Sequence, residues 1–448
     1  MGIETARDQP ADEAERQREQ RGWYMYDWAC SVYSTSVLTV FLGPYLTSVA
    51  EEAADADGFV HPLGIPVRAG SFFAYSVSLS VIVAVLLMPL VGSLADRTGH
   101  KKRLLGIAAY VGAGATAAMF FLDGDRYLLG GLLLITANAA QSVAMMLYNS
   151  YLPQIARPEE RDAVSSRGWA LGYASGALVL VLNLVLYLRH DDFGLTESTA
   201  VRICLASAGL WWGAFALVPL RRLRDRRLPA GEAPARSGLR QLAATVRHMR
   251  RHPLTLAFLL AYLVYNDGIQ TVITQASVYG SEELGLAQST LIVAVLLVQV
   301  LAVAGALALG RLADRYGAKR TILGSLIAWT VTLAAGYFLP AEEPVWFFAL
   351  AAAIGLVLGG SQALSRSLFS HLVPPGKEAE YFSAYELSDR GMSWLGPLLF
   401  GLTYQLTGSY RDAIISLVAF FVLGFALLAR VPVRRAIADA GNPVPERI

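Results

Sequence analysis

Runs of about 20 apolar residues recur along this chain, each long enough to cross the hydrocarbon core of a bilayer as a helix. Backbone N–H and C=O groups in such a run must be satisfied within it, which makes the helix the natural spanning form. Hydrophobic residues make up 55% of the 448 and charged ones 16%, where soluble domains hold about 45–50% and about 25%. The runs predict an all-α membrane protein with twelve transmembrane helices. They fall at 22–48, 70–94, 102–122, 127–150, 162–189 and 200–220, then at 253–279, 288–311, 319–339, 345–370, 380–407 and 411–430. This divides the chain into two six-helix pseudo-repeats, 22–220 and 253–430, with tails at 1–21 and 431–448 and an Arg-rich linker at 221–252. Leu239 to Arg251 in the linker reads as an amphipathic helix for the membrane surface. Cys30 and Cys204 lie inside apolar runs and read as small packing residues.

An internal duplication supports the division. Gly92-Ser93-Leu94-Ala95-Asp96-Arg97-Thr98-Gly99-His100-Lys101-Lys102 returns 218 residues later as Gly310-Arg311-Leu312-Ala313-Asp314-Arg315-Tyr316-Gly317-Ala318-Lys319-Arg320. Both copies sit between two apolar runs. They resemble the loop between helices 2 and 3, and 8 and 9, of the major facilitator superfamily. Glycines suit a tight turn and close helix approach, and an Asp there can pair with a cation or cap a helix N-terminus. Gly92, Asp96, Arg97, Gly99 and Lys101, with Gly310, Asp314, Arg315, Gly317 and Lys319, are expected to form a conformational gate.

Lys and Arg set the orientation. With the N-terminus inside, 31 of the 37 fall on the cytoplasmic side and five outside. Both termini and the linker are therefore expected in the cytoplasm, and the protein in the cell membrane.

The spans also carry polar groups, which are costly at bilayer depth unless they face a protein interior or a wet cavity. Asp27 shares a helix face with Ser31, Ser34 and Thr35 by spacing. The fourth span holds Asn138, Gln141 and Asn149. The seventh holds Asn266, Asp267, Gln270, Thr271 and Thr274. The tenth holds Ser361, Gln362, Ser365 and Arg366, and the eleventh Glu386, Asp389 and Arg390. In a two-repeat carrier such groups meet at the interface of the halves near the midplane. Asp27, Asn138, Gln141, Asn266, Asp267, Gln270, Gln362, Glu386 and Arg390 are the candidates for solute binding or coupling. Asp267 is the expected proton carrier, with pairing to Arg390 as its competing role. Gly168, Gly172 and Gly176 read as a close-packing stripe, and Trp211, Trp212 and Trp346 as interface anchors.

Trp23-Tyr24-Met25-Tyr26-Asp27-Trp28-Ala29 resembles the opening helix of one branch of the superfamily, that of the fungal autophagy-related vacuolar amino-acid effluxers and their bacterial relatives. Tyr265-Asn266-Asp267-Gly268-Ile269-Gln270-Thr271-Val272 and Gly359-Gly360-Ser361-Gln362-Ala363-Leu364-Ser365-Arg366-Ser367 are similar to its seventh and tenth spans. Asn149-Ser150-Tyr151-Leu152-Pro153 and Gly168-Trp169-Ala170-Leu171-Gly172-Tyr173 resemble its fourth and fifth. The likeness runs from about Trp23 to Gly401. Cys30 departs from it, standing where the pattern usually has Asn, and His100 and Ala318 replace a basic residue of the loop motif.

The resemblance implies a secondary carrier of a small polar solute, an amino acid or similar metabolite, working by alternating access as a monomer in the lipid bilayer. The chain has no G-x-x-x-x-G-K-[ST] nucleotide loop, no Cys/His set with zinc spacing and no nucleic-acid module. No enzyme activity and no cofactor are expected, and a proton gradient is the expected energy source. A lipid or multidrug exporter on the same fold is the alternative, marked by a mostly apolar cavity. A membrane receptor or scaffold is the alternative of another class, marked by binding without flux.

Overall fold

The computed structural model describes residues 10–225, 247, 249–391 and 395–448, so most of the linker, including the expected helix from Leu239, lies outside the described residues. The first helix, α1 (Pro10–Val32), starts well ahead of the expected span. Its charged turns dock on the rest of the chain: Gln20 Nε2 donates to the Ile155 carbonyl at 3.0 Å, and Arg224 N–H donates to Glu19 at 3.1 Å. The span continues as a π-helix, Tyr33–Phe41, and ends in α2 (Leu42–Glu52). A short antiparallel hairpin, Phe59–Val60 with Val67–Arg68, leads to α3 (Phe72–Thr98). Then come α4 (Lys101–Ala118), α5 (Tyr127–Asn149), short α6 (Leu152–Ile155), α7 (Arg161–Leu188) and α8 (Glu197–Arg222). The second half holds α9 (Pro253–Val278), α10 (Gln288–Tyr316), α11 (Ala318–Tyr337) and α12 (Pro344–His371). It continues with α13 (Glu378–Gly391), α14 (Leu395–Thr407), α15 (Tyr410–Ser416), α16 (Val418–Arg430) and α17 (Val433–Asp439).

Among the described residues, ten helical stretches are long and apolar enough to cross a membrane. Their packing is inverted relative to a soluble protein. On α3, Leu79, Ile82, Leu86, Leu90 and Leu94 are exposed, whereas Ser76, Ser80, Ala84, Met88 and Gly92 are buried. Large apolar side chains facing outward are what lipid solvates, and small ones inward let helices approach closely.

Local chemistry sets the helix ends. The α3 helix stops at Gly99, whose φ of 65° is left-handed and whose N–H donates to the Ala95 carbonyl at 3.0 Å. Gly317 ends α10 in the same motif position with φ of 91°. The Thr196 hydroxyl caps α8 by accepting the Thr199 N–H at 3.2 Å. Trp212 departs from its expected interface role. It is fully buried against Gly112, with Tyr33 5.8 Å away between ring centroids, because the glycine leaves room for the indole. Trp346 is exposed.

Within the first half, α1 packs on α7 and α8, and α5 on α3 and α4; in the second, α10 packs on α12, and α16 on α9 and α11. Between the halves, α7 meets α10 and α12, and α13 meets α3 and α5. These crossings position the site.

Candidate functional site

The site begins where α1 lies on α7. A Cβ at Gly168 would sit 2.5 Å from Asp27 Oδ2, one at Gly172 2.5 Å from Ser31 Oγ, and one at Gly176 2.7 Å from Thr35 Oγ1. The three glycines thus face the polar stripe of the first span, turn for turn. This close approach places Asp27 at the seam between the halves.

Arg366 of α12 reaches Asp27 from the other side of the seam. Asp27 is 4% exposed and Arg366 1%, so neither charge has bulk water and each must be paired inside the protein. Asp27 Oδ2 accepts from Tyr148 Oη at 2.7 Å and from Arg366 Nη1 and Nη2 at 3.3 and 3.4 Å. Arg366 Nε donates to Ser165 Oγ at 2.9 Å, Nη2 to the Ser165 carbonyl at 2.8 Å, and Nη1 to Asn149 Oδ1 at 3.2 Å. Its guanidinium carbon also lies 4.7 Å from the ring centre of Trp23, 5.4 Å from Trp169 and 5.7 Å from Tyr148. All of these partners belong to the first half. Asn149 Nδ2 donates in turn to Glu386 Oε1 of α13 at 2.7 Å. Removing one member of a buried pair of this kind costs about 3–5 kcal/mol.

This cluster is the floor of a cavity of 1360 Å³ between the halves. The cavity runs from Asp27, Arg366 and Glu386 to Ser48, Ser198 and exposed Glu197 at the opposite helix ends. Its floor is polar, and its walls carry Leu38, Phe41, Leu184, Ile273, Val295 and Leu350.

Of the residues singled out by sequence, Asp27, Gln141, Gln270, Gln362 and Glu386 line the cavity. Gln141 Nε2 donates to Ser34 Oγ at 2.9 Å. Three others lie behind the lining. Asn138 Nδ2 donates to Ser80 Oγ at 2.6 Å, joining α5 to α3. Asn266 Oδ1 accepts from Gln362 Nε2 at 2.7 Å. Asp267 Oδ2 accepts the Gly396 N–H at 2.8 Å, at the start of α14, which is a helix-capping position. The Arg390 side chain lies outside what the structure describes, and with it the expected pair to Asp267. Tyr148 and Gln299 are site residues that the sequence reading passed over. Arg366, noted among the polar groups of the tenth span, and Trp23 and Trp169, quoted within the family-like motifs, were not among the candidates for solute binding or coupling.

The end of the molecule bearing the duplicated motif is closed. Asp96 Oδ1 accepts the Ala379 N–H at 3.2 Å and Oδ2 the Glu380 N–H at 2.9 Å, so the carboxylate sits on the N-terminus of α13. Lys101 Nζ lies 3.0 Å from Asp96 Oδ1 and 3.1 Å from Glu378 Oε2. Close approach requires Gly92: a Cβ there would lie 2.8 Å from the Ala379 carbonyl oxygen. Nearby, Arg161 Nη1 donates across the halves to the Ser370 carbonyl at 2.9 Å. The second copy is used differently. Its Asp314 side chain is exposed, and Arg315 lies over the Tyr316 ring at 5.4 Å. Lys319 Nζ donates to the Ala429 and Val431 carbonyls at 2.9 and 2.8 Å, and Arg447 donates to the Asp314 carbonyl at 3.2 Å. Gly310 abuts Ser166 of α7. The first copy therefore joins the halves through its carboxylate, and the second anchors the C-terminal segment.

The profile of the family described as "Vacuole effluxer Atg22 like" matches residues 15–441. The chain belongs to this family. An uncharacterized MFS-type transporter of Bacillus subtilis, YxiO, is 30% identical over 419 residues, covering 93% of this chain and 95% of that protein. Autophagy-related protein 22 of Pyricularia oryzae is 26% identical over 515 aligned positions, covering 91% and 75%. Among solved structures, FucP in the outward conformation aligns with a TM-score of 0.66 at 12% identity, over 92% of this chain and 98% of that one. XylE bound to 6-bromo-6-deoxy-D-glucose aligns with 0.67 at 14%, over 94% and 96%. These likenesses establish the major facilitator fold. This member of the Atg22 branch is an integral multi-pass membrane protein and a transporter of small solutes.

Proposed function

We propose that the chain is a secondary active carrier of a small solute with polar head groups, an amino acid or similar metabolite, working by rocking of two six-helix halves. The observation that carries this is the cavity between the halves, with a polar floor of Asp27, Arg366, Glu386, Gln141 and Gln362 and a closed end beneath it. The reading counts α11 and the α13–α14 stretch as spans, giving twelve, with both termini and the duplicated motif in the cytoplasm of a cell-membrane protein. The state described is then outward-facing. Transport requires the floor contacts of Arg366 and the Asp96 latch to part as the inner side opens. Uphill movement draws on a proton gradient, with Glu386 as carrier because it lines the cavity, whereas Asp267 caps α14. Export and a monomeric carrier complete the proposal.

The apolar walls favour a second reading, an exporter of amphipathic compounds or lipid. A thermal-shift screen of purified protein against amino acids, other metabolites and amphipathic drugs, followed by flux in proteoliposomes, separates the two. Saturable, pH-gradient-driven flux of a polar metabolite supports the first. Flux of amphipaths alone supports the second, and binding with no flux of any solute defeats both.

A further inference from the structure

Arg366 occupies a socket that belongs to the first half of the chain. Trp23, Tyr148 and Trp169 surround its guanidinium at 4.7, 5.7 and 5.4 Å, and Asp27 supplies the counter-charge at 3.3 Å. Ser165 adds a carbonyl acceptor at 2.8 Å and Asn149 a side-chain oxygen at 3.2 Å. Aromatic faces around a carboxylate form a cation-binding box, worth most when water is excluded. Planar acceptors around an aromatic cage match a guanidinium better than a compact, strongly hydrated ammonium. The box is built entirely from α1, α5 and α7, whereas its occupant comes from α12, across the seam. Movement of the halves apart at the closed end withdraws the occupant and leaves the box assembled, because the glycine stripe of α7 holds Asp27 in place.

We infer that this box is a guanidinium site in its own right, filled by Arg366 when the motif-bearing end is closed and by a guanidinium-bearing solute when it is open. The inference rests on the alternating-access reading above and names the head group the site selects. Arg366 then acts as a tethered competitor. While it is seated the box is filled, and a ligand's apparent affinity is reduced by the fraction of molecules in which the tether is seated.

The test uses the full chain in lipid nanodiscs with two probes of nearly equal size, L-arginine and L-citrulline, in which a neutral urea replaces the guanidinium. Wild-type protein is expected to bind arginine about tenfold more tightly than citrulline. Trp23→Leu and Asp27→Asn should bring the two to near equality. Arg366→Ala removes the tether, and should bind arginine about tenfold more tightly than wild type does. Guanidinium chloride at millimolar concentration should also raise its melting temperature more than that of wild type. Should Arg366→Ala fail to fold, Arg366→Gln serves, and the wild-type preference and Asp27→Asn still decide. Equal binding of arginine and citrulline by both wild type and a folded Arg366 variant overturns the inference. So does a preference that survives Trp23→Leu and Asp27→Asn. Failure of the carrier reading is distinct: it appears as absence of flux in proteoliposomes with the arginine preference intact.

Discussion

Replacing Asp96 by Asn weakens the latch at the closed end without touching the cavity. The carboxylate accepts two N–H groups, from Ala379 at 3.2 Å and Glu380 at 2.9 Å, and contacts Lys101 Nζ at 3.0 Å. Asparagine keeps one acceptor oxygen, so one N–H bond survives and the other meets an amide NH2. Lys101 loses a charged partner but keeps Glu378 at 3.1 Å. A hydrogen bond to a charged group contributes about 1.5–3 kcal/mol, so the closed state loses about 2 kcal/mol. That is roughly a 30-fold shift in the ratio of closed to open molecules. The assay is a spin-label distance distribution between Thr98→Cys and Lys377→Cys, on opposite halves, in protein with Cys30 and Cys204 replaced by Ser. The ratio of long- to short-distance populations should grow by about that factor, while solute binding at the cavity floor stays nearly intact and net flux slows. A large fall in intrinsic affinity with an unchanged distance distribution would refute the reasoning.

Glu386→Gln should keep solute exchange across proteoliposomes and lose accumulation driven by a pH gradient. Asp267→Asn, whose wild-type side chain caps α14, should instead lower stability by about 1 kcal/mol and leave pH-driven accumulation intact, as read by thermal unfolding beside the flux assay. Gly172→Leu should abolish flux and markedly lower the melting temperature, since its Cβ alone would meet Ser31 Oγ at 2.5 Å. An impermeant thiol reagent should reach Asp57→Cys only from outside the cell and Gly231→Cys only from the cytosol. Beside the hairpin of Phe59–Val60 and Val67–Arg68, the hydrogen bond from His61 holds the Asp55 carboxyl below the usual carboxylate range. A depressed carboxyl stabilises above its unfolded pKa and ceases to do so as pH falls through the folded one. Protection of the Asp57 and Phe59 amides against exchange, relative to the intrinsic rate at each pH, should therefore be high near neutrality, since both donate to Asp55 Oδ1, and should fall in acid below the ordinary carboxylate range.

Features written locally were legible in the sequence. Apart from the early start of α1, the apolar runs gave helices within a few residues, because hydropathy acts along one segment at a time. The duplicated motif located the closed end, and the spacing of Asp27, Ser31 and Thr35 placed them on one face. The glycine stripe was read as close packing, and it is the surface those residues meet. What escaped was written across the chain. Arg366 and Asp27 are 339 residues apart, and no periodicity links an arginine on one helix to a carboxylate on another half. Asp267 is buried, as its polar stripe suggested, but nothing along its own helix announces that one of its two carboxylate oxygens accepts an N–H of α14. Trp212 was read as an interface anchor, yet it falls mid-span, and the gap at Gly112 shows that the indole points inward. The π-helical stretch from Tyr33 has ordinary composition, so nothing local announces it.

The contact between α1 and α7 also has a mechanical consequence. With Asp27, Ser31 and Thr35 lodged against Gly168, Gly172 and Gly176, neither helix has clearance to slide. A slip of one residue, about 1.5 Å, would drive side chains into backbone. Under the rocking motion proposed above, the pair is expected to move as one stiff spar carrying both Asp27 and Trp169, with displacement taken up at the seam where α7 meets α10 and α12. Such a spar would act as a lever: a small displacement at one end of the seam becomes a larger one at the other. A label pair placed along the spar should therefore report a constant length while every span across the seam changes, giving any study of the moving molecule a built-in ruler.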